Sequence, residues 1–130
     1  MSRPFTAFIS YPRALERLAS EIADHLRIDG YKTWIDVNNF DKQADAHAQL
    51  KRAIEGCDYF LSITPTVGEQ SYWIQFENAI AAQTCTVLAD SYCFRGNRLE
   101  VWRKAEVAAE HPDTVILASL KRMKETSTHV

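Results

Sequence analysis

Trp73 and Glu77 stand four positions apart in the run Ser71-Tyr72-Trp73-Ile74-Gln75-Phe76-Glu77. At that spacing both fall on one face of a helix. An indole there can stack on a flat ring while the carboxylate meets hydroxyls or a developing positive charge. The pair equally fits a core tryptophan beside an acidic residue that faces the helix dipole, and spacing alone does not separate the two. Other polar residues collect where short apolar runs end: Ser10, Tyr11 and Arg13 after the first, Asp36 and Asp41 after the second, Thr64 after the third. Arg13 offers a fork of donors suited to anionic oxygens, or is a surface arginine in a first helical turn.

Several chemistries lack their residues. With four glycines, the chain has neither a Gly-x-Gly-x-x-Gly nor a Gly-x-x-x-x-Gly-Lys run, which argues against a Rossmann dinucleotide site and a P-loop. A Gly-x-Ser-x-Gly elbow is missing too. His25, His47, His111 and His129 have no spacing that pairs them as metal ligands and read as surface residues. Cys57, Cys85 and Cys93 are odd in number and form no Cys-x-x-Cys. They read as reduced thiols, the usage of a cytoplasmic protein.

The elements that must position these residues alternate along the chain. Phe5–Tyr11 is aromatic and β-branched, as a strand requires, and stops at Pro12. Leu15, Leu18, Ala19, Ile22, Ala23 and Leu26 then recur at helical spacing, with Gly30 placed for a left-handed cap. Lys32–Val37 is a second strand, 38–41 a polar loop, and 44–55 a helix. Tyr59–Thr64 is an almost continuous apolar strand, the pattern of one covered on both faces, with Pro65 closing it. Ser71 is placed to cap a helix running to about Gln83.

Thr84–Leu88 reads as a fourth strand or as a last helical turn followed by one, Asn97–Glu110 as a helix, and Thr114–Leu120 as a final strand. The polar residues 121–130 read as a frayed tail. This order predicts one α/β domain over 1–120, a doubly wound parallel sheet of about five strands flanked by helices. Ligands of such sheets lie at the carboxyl ends of the strands.

Composition agrees with a single domain. The 130 residues are 46% hydrophobic and 11% aromatic, sufficient for a core. A net charge of −2 leaves no basic surplus for nucleic acid or an anionic membrane, and no apolar run approaches the length of a membrane span.

Four segments, in order, resemble the boxes of Toll/interleukin-1 receptor (TIR) domains: Ala7-Phe8-Ile9-Ser10-Tyr11, Gly30–Asp36, Ala53–Pro65, and the Ser-x-Trp-x-x-x-Glu start of the helix at Ser71–Glu77. The similarity covers about residues 5–83 and points to the bacterial, NAD-cleaving branch. It implies a flavodoxin-like fold and a catalytic glutamate, Glu77, acting at the nicotinamide–ribose bond of NAD. By the same resemblance Ser10, Tyr11, Arg13, Asp36, Phe40, Asp41 and Trp73 face the substrate. Phe40 and Asp41 fall in the loop that gates the site and packs between subunits.

NAD is then a consumed substrate, with no tightly held cofactor and no metal, and the domain self-associates through TIR–TIR contacts. The biological setting implied is immune or anti-phage defence. Two other functions fit less of the pattern. One is a non-catalytic TIR adaptor, in which the 38–46 surface matters and Glu77 is incidental. The other is a nucleoside deoxyribosyltransferase-like enzyme, whose glutamate is a covalent nucleophile.

Overall fold

A computed structural model describes residues 5–35, 45–65, 72–84, 87–94, 96–104 and 112–127. The first apolar run forms β1 (Thr6–Ser10), with its last four residues buried. Pro12 is extended, and a 3-10 turn at Arg13–Leu15 leads into α1 (Glu16–Ile28). The expected stripe is in place: Leu18, Ala19, Ile22, Ala23 and Leu26 are buried, and Leu15 packs partly against them. Gly30, at φ +95, ends the helix as its position predicted. Its N–H donates to the Arg27 carbonyl and that of Tyr31 to the Leu26 carbonyl, both at 3.0 Å. These are the paired bonds of a Schellman cap, which satisfy carbonyls of the last turn.

β2 (Lys32–Trp34) lies parallel to β1 and is followed by buried Ile35. The rest of the expected second strand, 36–37, and the loop after it lie outside the described residues. α2 (Ala46–Gly56) begins at Asp45, whose Oδ1 accepts the His47 N–H at 3.0 Å. β3 (Tyr59–Pro65) is buried over its first five residues, as the continuous apolar run required. Pro65 is the last residue of that strand, paired with Asn97, rather than the stop beyond it. α3 (Tyr72–Thr84) follows; Ser71, its expected cap, lies outside the described residues.

The C-terminal third corrects the sequence reading. Segment 97–110, expected as a helix, opens with a strand. β4 (Val87–Phe94) and β5 (Asn97–Arg103) form an antiparallel hairpin, with Gly96 at φ +79 in its turn. In β5 the buried residues Leu99 and Val101 alternate with less buried Arg98 and Glu100, a period of two that decides for a strand. Residues 114–120, expected as the final strand, belong to α4 (Pro112–Ser127). There Ile116, Leu120 and Met123 are buried at helical spacing. The helix also takes in residues 121–127 of the expected frayed tail. Arg122 pairs with Asp29 at 2.7 Å, and Lys121 with Asp90 at 3.5 Å.

The described strands form one five-stranded sheet in the order β2-β1-β3-β5-β4. β1, β2 and β3 are parallel, and β5 is antiparallel to both neighbours. The α/β sheet flanked by helices is as expected; the reversed β5 makes it mixed. α1 and α4 cover one face, around Ile9, Leu61 and Val101. α2 and α3 cover the other, around Phe8, Phe60 and Ile54. Each large side chain fully buried there contributes about 1.5–3 kcal/mol. At the opposite end from the candidate site, buried Asp58 fastens β1: its Oδ2 accepts the Thr6 N–H at 2.8 Å, and its own N–H donates to the Thr6 carbonyl at 2.8 Å.

Candidate active site

Cross-strand register fixes what the α2–α3 side of the sheet presents. Phe8 stands beside Trp34 and Phe60, and Phe60 beside Trp102, so one aromatic row crosses four strands. Phe8 stacks on Trp34 at 4.9 Å and on Phe60 at 5.6 Å. Two residues further along, on the same face, the row reads Ser10, Ser62, Glu100 and Ser91. The next row brings Thr64 opposite Arg98. This face therefore changes from aromatic to polar toward the carboxyl ends of β1 and β3, the end where open α/β sheets bind ligands.

Glu77 meets the polar row from the helix layer. It is 2% exposed, and Ser10, at 1%, donates its hydroxyl to Glu77 Oε1 at 2.7 Å. Burying a carboxylate is costly unless it is hydrogen-bonded, and this short contact suits a charge-assisted bond. The rotation of α3 follows from its apolar residues. Ile80 and Ala81, three and four positions on, pack in the Phe8–Phe60 core and so carry Glu77 inward on the same helix face. Phe76 meets the His47 ring edge-on at 4.9 Å, which ties α3 to the first turn of α2.

The fold brings Ser10 and Glu77 together across 67 positions of sequence. Tyr11, the next residue along, is buried in the α1-side core. Arg13 is exposed in the 3-10 turn. Trp73 lies in α3, four residues before Glu77; its side chain is outside the described residues, as are Asp36, Phe40 and Asp41 altogether. Sequence reasoning passed over Ser62, Glu100 and Arg98. Ser62 is submerged in the apolar run of β3, whereas Glu100 and Arg98 were assigned to a helix. The polar–apolar alternation Arg98-Leu99-Glu100-Val101 is the signal that marks their shared sheet face.

Residues 7–91, a segment holding both Ser10 and Glu77, match the family model of the TIR domain. The chain belongs to the TIR domain family. Neither a curated protein nor a solved structure matches it at a significant level. The matched part of this TIR domain ends within β4, so Arg98 and Glu100 lie beyond it. No helix among the described residues is long and apolar enough to cross a membrane. Among those residues no three His, Cys, Asp or Glu side chains gather as a metal site. A fixed carboxylate in such a low-dielectric setting is equipped to stabilise a cation formed beside it.

Proposed function

We propose that this TIR domain is an NAD glycohydrolase of the bacterial, NAD-cleaving type, with Glu77 as its catalytic residue. The observation that carries the reading is the buried Glu77 carboxylate held by Ser10 at the polar end of β1. Nicotinamide in NAD is already cationic, so its departure needs no acid. The bond between C1′ of the ribose and the ring nitrogen breaks, and its electron pair leaves with neutral nicotinamide. The positive charge passes to an oxocarbenium-like ribose. Glu77 stabilises that charge and hydrogen-bonds the ribose hydroxyls. Water adds at C1′ and loses a proton, giving ADP-ribose; attack by the adenine ring instead gives a cyclic product.

Trp73, one turn before the carboxylate, is the residue to stack on a base, and Asp36, Phe40 and Asp41 complete the substrate-facing set, whereas Tyr11 belongs to the core on the other face of the sheet. Ser10 acts through Glu77 as a positioning residue. NAD is consumed, no resident cofactor takes part, and the setting is an immune or anti-phage signal. Self-association completes the site, so activity per molecule falls on dilution.

A second reading is a non-catalytic adaptor, which the 2% exposure of Glu77 favours: the Ser10–Glu77 contact then serves as a tie between β1 and α3. Glu77→Gln separates the two, because glutamine keeps an oxygen that accepts from Ser10 but loses the charge. The expected result is unchanged folding with nicotinamide release from NAD reduced by about 10²-fold or more. Wild-type protein that releases no nicotinamide at high concentration, or release that survives the substitution, overturns the enzyme reading.

A further inference from the structure

Two carboxylates meet at the polar row, Glu100 within it and Glu77 reaching it from α3, and one basic group, Arg98, stands one row further out. Of the three basic residues in the described strands, Lys32 pairs with Thr6 and Arg103 with Tyr59, at the far end of the sheet. Arg98 alone stands at the carboxyl end of β3, opposite Thr64 and one row beyond the Ser62–Glu100 pair. It is 61% exposed, and its Nη2 lies 3.5 Å from Glu100 Oε2, a carboxylate that is 21% exposed. An ion pair with one partner this exposed is worth little, so the guanidinium exchanges it readily for a stronger acceptor. Two strand spacings and one two-residue step separate the Cα positions of Ser10 and Arg98, about 12 Å. A ribose 5′-linked to a diphosphate covers that distance when a long side chain meets it part-way.

From this placement we infer that Arg98 is the diphosphate-binding residue of the site, with Glu100 holding it in place until the anion arrives. The inference rests on Glu77 facing a ribose, and it moves the anion-binding role from Arg13 to a strand beyond the matched TIR segment. A bare pair of carboxylates repels a diphosphate. A guanidinium on the same face reverses that, and its planar fork takes two phosphate oxygens at once. Glu100 gives the inference its distinctive sign: removing its charge frees Arg98 and lessens the repulsion, so binding strengthens.

The test is isothermal titration of ADP-ribose into the full chain at low ionic strength, beside a separate assay of nicotinamide release. Arg98→Gln is expected to weaken ADP-ribose binding roughly tenfold or more. Glu100→Gln is expected to tighten it about two- to fivefold, and Arg13→Gln to leave it within twofold. Adenosine, which lacks phosphate, should bind the wild type and Arg98→Gln alike. A merely structural role for the Arg98–Glu100 pair predicts the same loss in both variants.

The inference is overturned if Arg98→Gln leaves the affinity unchanged, if Arg13→Gln carries the loss, or if the wild type binds no ADP-ribose at millimolar concentration. Failure of the enzyme reading looks different: ADP-ribose binds in an Arg98-dependent way, yet no nicotinamide is released.

Discussion

The Ser10 hydroxyl donates to Glu77 Oε1 at 2.7 Å, joining the last residue of β1 to the middle of α3 in a buried contact. Ser10→Ala leaves that carboxylate short of a partner, at a cost of about 1–3 kcal/mol. Urea denaturation should register the loss, and Ser10→Thr should restore most of it. In nicotinamide release, a positioning role predicts a fall in kcat with little change in KM. Equal loss in both variants would mean that the hydroxyl is needed for its size, not its donor.

Gly30 caps α1 at φ +95 with open space where a Cβ would stand. Its contribution is therefore conformational, not steric crowding. Gly30→Ala should cost about 1–2 kcal/mol, and Gly30→Asn less, since asparagine enters the left-handed region more readily. Equal stabilities of the three proteins in urea would remove the cap from the argument.

What the sequence made legible follows from how local each signal is. The stripe from Leu15 to Leu26 and the cap at Gly30 are short-range patterns, and both were readable. So was β3, because a strand buried on both faces writes itself as an apolar run, here interrupted from Tyr59 to Ile63 by Ser62 alone. α4 was lost for the same reason: Val115–Leu120 is a mostly apolar run too, broken only by Ser119, and Met123, beyond it, completes the helical period. β5 was lost because Trp102 blurs the alternation set by Leu99 and Val101. Glu77 could be singled out, whereas its partner could not be chosen from sequence. Their contact depends on the strand register and the rotation of α3, both set by the core around Phe8, Phe60 and Ile80.

The place of β5 can be checked directly. It is hydrogen-bonded to β3 on one side and β4 on the other, so its central amides open only when the sheet does. Native-state hydrogen exchange should show Leu99–Trp102 among the slowest exchangers, near the global unfolding free energy. Exchange within seconds at those amides would contradict the pairing.

Residues 121–127 provide the last check, since a frayed tail and a docked helix end respond differently to substitution. Met123 is 8% exposed and packs with Ile116 and Leu120 in the α1-side core, whereas Arg122 reaches across the surface to Asp29 at 2.7 Å. Met123→Ala should therefore cost about 2–3 kcal/mol through lost burial and the cavity left behind. Arg122→Ala removes an ion pair whose arginine is 57% exposed and should cost under about 1 kcal/mol. In a frayed tail neither change would register. The expected inequality between two adjacent residues, read from paired urea curves, tests whether α4 closes this face of the sheet through its final turn.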